Sequence, residues 1–412
     1  MKTLSRKEIV GYTGLMTMAT FLTGGMNFVF NMVVGRLIGP AEYGILSPLM
    51  GSLFSILSVP VMGLQLFMNQ SLGEMFSHHP QGLRSFIRFL FINLMKLLVS
   101  IEMLLWLSLP LWQRWLHLPD QTLLVLLFLT VFANYIQIFL YTLLQFHHEF
   151  GVLFWMTLIA TLLKLVLGIG LGWWLRTAFG VMFAYLVPLL LSSGVFALSL
   201  WPWYRSLAGE RFRPPDHFWR MLVVSMLSGG AYVVLSSFDI LLVRSFFQDQ
   251  KVVGSYAMAG LIARASFFVA SAFTTVFLPV MAKQKEKSQS LTFWGLVILF
   301  GILVGYTGMV WIFRLFISHT LLGGSYPGLE RSLVLYTFCF IPYALISFLV
   351  SFYTVRKSLF YSLSILAGVI LQGILFSFWH ESISQALAIV GGVGYGLFGL
   401  FVGEILLRGQ EK

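Results

Sequence analysis

The sequence predicts an all-α polytopic membrane protein of about twelve transmembrane helices, arranged as two lobes of six. Three observations predict it. The 412 residues are 58% hydrophobic and only 10% charged, with a mean hydropathy of +0.88, which is too little charge to cover a soluble protein of this size. The apolar runs reach about 20 residues without two-residue alternation, which points to helices and not to a barrel. The most polar connector, about Arg205 to Arg220, falls half-way along the chain and divides the spans six and six. The expected organisation is an N-terminal lobe of residues 1–204, a cytoplasmic linker of 205–217 and a C-terminal lobe of 218–412.

The first span, Ile9–Val34, follows Lys2, Arg6 and Lys7. It is too long for a signal-peptide core and no small-residue cleavage site follows, so it reads as an uncleaved span. Thr13, Thr17, Thr20, Gly24, Asn27 and Asn31 recur every three or four residues and lay one polar stripe on this apolar helix. Gly39-Pro40 breaks the chain before span two, Gly44–Asn69, whose Ser55, Ser58, Gln65 and Asn69 form a partial polar face. Span three, Phe86–Leu111, carries Lys96 with Asn93 and Ser100 at helical spacing, and also Glu102. Span four, Gln121–Gln145, follows Pro119-Asp120 and is apolar except for Asn134, Gln137 and Gln145. Span five, Val152–Leu175, holds Lys164 mid-helix on a stripe with Thr157, Thr161 and Gly168.

Span six, Gly180–Trp201, contains Pro188, which in a membrane more often kinks a helix than ends it; Pro60 and Pro342 are read the same way. Beyond Pro214-Pro215 comes span seven, Phe218–Phe246, with Asp239 towards its outer end. Span eight, Gly254–Met281, has Arg264 about ten residues in. Span nine, Leu291–Ile317, stops before Gly323-Gly324. Spans ten to twelve, Ser332–Thr354, Leu359–Trp379 and Ile383–Leu407, are largely apolar and aromatic, with Gln372 as an exception.

Lys and Arg orient these spans. With the N-terminus inside, the inner segments hold Lys2, Arg6, Lys7, Arg84, Arg88, Arg205, Arg211, Arg213, Arg220, Lys283, Lys285, Lys287, Arg356, Lys357, Arg408 and Lys412. The outer loops hold Arg36, Arg114, Arg176, Arg244, Lys251, Arg314 and Arg331. Sixteen against seven places both termini in the cytoplasm. The net charge of +11 thus reads as membrane orientation and an anionic substrate rather than nucleic acid. A shift of 208 residues lays Thr17 on Ser225, Thr20 on Ser228, Asn31 on Asp239 and Arg36 on Arg244. We read this as a parallel duplication of the two halves.

No catalytic, nucleotide-binding or cofactor motif is present: there is no GxxxxGK[ST], no HExxH and no carboxylate pair in a polar setting. The single cysteine, Cys339, excludes an internal disulfide. An enzyme is therefore not expected, and energy must come from an ion gradient, the substrate's own gradient or a partner. Intramembrane charges are costly and mark function by default. Lys96, Lys164 and Arg264 lie within spans, against Glu102 and Asp239. They suggest a water-filled, net-positive cavity for an anionic head group, to which Asn27, Asn31, Gln65 and Asn69 would add polar wall. The alternative is that Lys96 and Glu102 find structural partners, or that the lysines snorkel to an interface.

The stretch Asn31-Met-Val-Val-Gly-Arg36-Leu-Ile-Gly39-Pro40-Ala-Glu42-Tyr43-Gly44 resembles the first-helix exit of bacterial polysaccharide and O-antigen flippases. These are the oligosaccharide flippase branch of the multidrug/oligosaccharidyl-lipid/polysaccharide exporter superfamily. Gly63-Leu-Gln-Leu-Phe-Met-Asn69 and Phe277-Leu-Pro279-Val-Met are similar too. Many members have fourteen spans, and this chain counts twelve. The resemblance implies a central cavity lined by spans one, two, seven and eight, worked by alternating access. It also implies transport of a polyprenyl-pyrophosphate oligosaccharide from the inner to the outer leaflet of a bacterial inner membrane. The partners implied are the bilayer, that anionic lipid-linked glycan, and a glycan polymerase or other surface-polysaccharide assembly protein. Other readings are a cation-coupled multidrug exporter of the same superfamily, which would favour a carboxylate where span one has Asn27 and Asn31, and an integral-membrane glycan polymerase or assembly scaffold.

Overall fold

The computed structural model describes residues 6–78, 82–207, 218–283, 288–355 and 359–410. Eight of the sixteen inner basic residues, Lys2, Arg211, Arg213, Lys285, Lys287, Arg356, Lys357 and Lys412, lie outside them, as does most of the expected 205–217 linker. The described chain is helical throughout, without a strand. In order the helices are α1 (Arg6–Leu46), a π-helical turn at Ser47–Leu53, α2 (Phe54–Leu57), α3 (Val59–His78), α4 (Leu83–Leu107), α5 (Leu109–Trp115), α6 (Thr122–Phe146), α7 (Phe150–Leu175) and α8 (Ala178–Ser206). They continue as α9 (Phe218–Phe246), α10 (Gln250–Arg264), α11 (Ser266–Lys283), α12 (Ser288–Leu315), a second π-helical turn at Phe316–Leu321, α13 (Leu329–Val355), α14 (Leu359–Phe378) and α15 (Ile383–Gln410).

Eleven of the described helical stretches are long and apolar enough to cross a membrane, so the protein is a multi-pass membrane protein. The difference from twelve lies at the start. No loop separates spans one and two: the first stretch, Gly11–Leu57, runs 47 residues. At about 1.5 Å per residue that is roughly twice a bilayer. It is divided by one residue, Gly39, with φ 79° and ψ 173°. That conformation is open to glycine and strained for other residues. Pro40 then opens the next arm, where a missing N–H costs nothing.

Two spans are interrupted in mid-course. Span two passes from α2 to α3 at Ser58, with Pro60 in the first turn beyond. Span eight passes from α10 to α11 at Ala265. The 208-residue shift carries Ser58 onto Ser266, the residue after the Ala265 break, so the two halves break within one residue of the same register. A tyrosine hydroxyl bonds a carbonyl at each break: Tyr135 donates to Leu57 O at 2.8 Å, and Tyr306 donates at 2.6 Å to Ile262 O, which also accepts the Ala265 N–H at 3.1 Å. In a membrane such groups must be satisfied internally.

The chain divides into two compact units, Met1–Leu37 with Phe54–Gly230, and Ile38–Leu53 with Ala231–Lys412. The division cuts α1 beside Gly39 and α9 after Gly230. In the first unit α8 packs on α6 and α7, and α6 also receives α3 and α4. Leu124, Leu127, Phe128, Val131, Tyr135 and Leu144 of α6 are fully buried, making it the core helix. In the second unit α13 is central, touching α10, α11, α12 and α15, with Tyr336, Phe340 and Tyr343 buried.

Candidate functional site

The first unit holds a half-open chamber of about 390 Å³ lined from α1, α2, α3, α6, α7 and α8. Its polar wall is Asn27, Gln65, Asn134, Gln137, Thr157, Thr161 and Lys164, and its aromatic wall Phe54, Tyr141 and Tyr185. On α6, Asn134, Gln137 and Tyr141 lie at helical spacing and share one face. Asn134 donates to Ser58 Oγ at 3.0 Å and Gln137 to Ser192 Oγ at 2.6 Å, which fixes both amides on the wall.

Lys164 is the chamber's one cation among its lining residues, and no carboxylate lines it. Its ammonium donates to Asn27 Oδ1. It also sits 4.8 Å from the Phe30 ring centre and 4.5 Å from that of Tyr185. Those rings meet edge to face at 5.4 Å. Gly168, one turn beyond Lys164, leaves the space the Phe30 ring fills; a β-carbon there would overlap the ring. A cation held by one neutral amide and two π-faces meets no opposite charge there, each face contributing about 0.5–2 kcal/mol. Such a site can still accept an anion.

A second cavity, about 470 Å³, is lined by Tyr12, Thr13, Met16, Thr17, Thr20, Tyr141, Gln145, His148 and Phe150. Tyr141 belongs to both cavities. The polar stripe of α1 thus lines two cavities of the first unit that share Tyr141. Its hydroxyls are satisfied locally, Thr17 bonding Thr13 O at 2.8 Å and Thr20 bonding Met16 O at 2.9 Å. Burial holds the His148 imidazole, in the α6–α7 turn, below its usual pKa.

The second unit treats its cation differently. Arg264, at the end of α10, meets Asp239 of α9 at 2.7 Å. The other carboxylate oxygen accepts the Tyr256 hydroxyl at 3.0 Å and the Tyr336 hydroxyl. Arg264 also donates to Ser236 O from Nε (3.2 Å) and Nη2 (2.9 Å), and lies 4.9 Å from the Phe340 ring centre. Gly260 leaves room for it: a β-carbon would stand 2.7 Å from Nη1. One guanidinium and one carboxylate neutralise each other and leave no net charge for a ligand.

The structure therefore brings together Asn27, Gln65 and Lys164, and separately Asp239 and Arg264. Asn31 lies one turn past Asn27, its amide bonded to Asn27 O at 2.8 Å and outside the chamber lining. Asn69 is exposed, one turn beyond Gln65. Lys96 is exposed as well: α4 buries Leu94, Leu98 and Leu105 instead, so the ammonium joins neither site. Arg264, expected to share a positive cavity with Lys164, is neutralised by its ion pair with Asp239 in the second unit. Tyr141 and Tyr185 are chamber residues that sequence reading passed over. The stripe Asn134, Gln137, Tyr141, Gln145 is the signal that would have found the first of them.

A sequence match to the polysaccharide biosynthesis protein family spans residues 11–285. The chain belongs to that family. The same fold occurs in the lipid II flippase MurJ in an inward closed conformation, at 13% identity and a TM-score of 0.73, over 94% of this chain and 87% of that one. It also occurs in an inward-facing multidrug resistance MATE family transporter of the MOP superfamily, at 14% identity and a TM-score of 0.72, over 93% of each chain. A MOP superfamily transporter from Pyrococcus furiosus Vc1, described as having a binding pocket of reverse polarity, aligns at 12% identity with a TM-score of 0.58, over 96% of this chain and 95% of that one. No curated protein matches the sequence. The chain thus combines membership of the polysaccharide biosynthesis protein family with a fold shared by MOP superfamily transporters.

Proposed function

We propose that the protein is a flippase that carries a polyprenyl-pyrophosphate-linked oligosaccharide from the cytoplasmic to the outer leaflet of a bacterial inner membrane, for surface polysaccharide such as O-antigen. The observation that carries this reading is the Lys164 chamber. A pyrophosphate cannot cross the hydrocarbon unpaired, because burying its charge without partners is prohibitive. An uncompensated ammonium offers it a direct ion pair. Amide side chains beside aromatic rings suit sugar hydroxyls and sugar faces, and about 390 Å³ lies in the range of about 300–1,000 Å³ common for ligand pockets. The lipid tail stays in the bilayer while the head group is handled within the protein, by alternating access with both termini cytoplasmic. A glycan polymerase or another assembly protein would receive the product.

The reading is tested by following lipid-linked oligosaccharides in cells depleted of the protein and complemented with Lys164→Met. Accumulation in the inner leaflet, unrelieved by the variant, is expected. Normal outer-leaflet delivery with altered drug tolerance would replace this reading with a multidrug exporter.

A further inference from the structure

At the end of the first unit that carries the α6–α7 turn, three basic side chains each lie against an aromatic ring of α8. Arg84, in the first turn of α4, places its guanidinium carbon 5.3 Å from the Tyr204 ring centre. Arg205 lies 4.5 Å from the ring centre of Trp201, one turn earlier on α8. The His147 ring, where α6 ends, meets the Trp203 ring at 4.8 Å, and Phe146 meets it at 6.3 Å. The last turns of α8 thus gather the start of α4 and the end of α6 into one patch. Arg88, exposed and one turn on from Arg84, extends it along α4. These helices are membrane spans, so their ends set the patch at a membrane boundary, where Trp and Tyr rings anchor.

The arginines of the patch keep charge and donors unused. Arg84, Arg88 and Arg205 form no ion pair and no side-chain hydrogen bond among the described residues. Glu149, 3.4 Å from His147 Nδ1, pairs with the imidazole and with neither stacked arginine. Orienting a span requires positive charge alone, not a ring against each cation. A ring takes the face of a guanidinium and leaves its fork of in-plane N–H donors open, and that fork matches a phosphate. Arg314 of α12 shows the other outcome. It lies 5.3 Å from the Trp311 ring centre but donates from Nη1 to Trp311 O at 2.7 Å.

We propose that this patch binds the headgroup of an anionic phospholipid. Arg84 sits on the ring of Tyr204, the residue next to Arg205, so one phosphate is reached by both guanidinium groups. Arg88 adds charge beside them. The apolar track needed by the acyl chains adjoins the patch: Leu191, Val195 and Leu198 are exposed and share one face of α8 with Arg205. That track favours a lipid over a free phosphate ion. Arg84, Arg88, Trp201, Tyr204 and Arg205 line neither cavity of the first unit, so the site is additional to the Lys164 chamber.

The test needs no glycan substrate, so it stands or falls apart from the flippase reading. The full chain in neutral detergent is titrated with dioleoylphosphatidylglycerol, and separately with dioleoylphosphatidylcholine, and retained lipid is counted by native mass spectrometry. Wild type should prefer the anionic lipid. Arg84→Gln and Arg205→Gln should each weaken its binding about fivefold, as for one basic residue lost beside an anionic headgroup. Tyr204→Leu keeps every charge and should also weaken binding, because Arg84 loses its support. Arg114→Gln removes an equal charge from exposed α5, at the opposite end of α4, and should change nothing. Monodispersity and far-UV circular dichroism confirm folding; Arg205, exposed in the last turn of α8, serves alone where Arg84→Gln misfolds. Equal binding of the two lipids by wild type would overturn the site. Equal losses in Arg114→Gln and Arg205→Gln would do so too, since binding would then follow net charge. Displacement of the lipid by an equal concentration of inorganic phosphate would overturn the assignment to a lipid.

Discussion

Lys164 and Arg264 are both cations in the middle of membrane helices, and the two units handle them in opposite ways. Arg264 is locked: a carboxylate neutralises its charge, a backbone carbonyl takes Nε and Nη2, and an aromatic face lies against it. Lys164 is held in place by an amide and two rings, next to empty polar space and away from any carboxylate lining it. The difference teaches that an intramembrane charge is not a site by itself. Compensation turns it into architecture; its absence, combined with room, leaves it able to bind.

The largest expected effect comes from unlocking the compensated cation. Asp239→Asn strands a guanidinium buried at the α10–α11 break, and removing one partner of a buried pair costs about 3–5 kcal/mol. A large fall in melting temperature in detergent is expected, with Asp239→Leu/Arg264→Met recovering much of it. Equal stability of Asp239→Asn and wild type would show that the ion pair is not what holds span eight.

Lys164→Met should reverse this pattern. Transport is lost while the melting temperature holds or rises, because removing a buried charge that lacks an ionic partner relieves its desolvation. A variant that keeps full glycan delivery would dissolve the contrast, leaving both cations structural. Gly168→Ala sits between these effects. Its β-carbon displaces the Phe30 ring from beneath the ammonium, costing about 1–3 kcal/mol by overpacking and weakening transport without touching the charge.

The helices were legible in the sequence because a membrane span is a local property: length, apolarity and flanking breakers suffice. Lys164, Thr157, Thr161 and Gly168 were legible as one face for the same reason, since helical spacing alone puts them there. The state of each charge was not. Asp239 and Arg264 lie on different helices, 25 residues apart, and only packing decides that they meet. The tyrosines that close the ion pair are 17 and 97 residues from Asp239, and no local pattern announces them. Gly39-Pro40 was visible as a break, but whether it is a loop or a single-residue kink depends on a backbone angle rather than a composition.

Lys96 supplies the smallest effect and the sharpest control. By sequence it is as deep in its span as Lys164, with Asn93 and Ser100 on the same stripe. Both neighbours satisfy themselves on their own backbone, Asn93 on Phe89 O and Ser100 on Lys96 O, each at 2.8 Å. The lysine itself is exposed, where a long stem can carry the ammonium towards an interface. Lys96→Gln should therefore change stability by no more than about 0.5 kcal/mol, as for substitutions away from packed features, and leave glycan delivery intact. If it abolished delivery while Lys164→Met did not, the anion would be handled on the outer face of α4, and depth in a helix rather than enclosure in a chamber would be the property that marks the site.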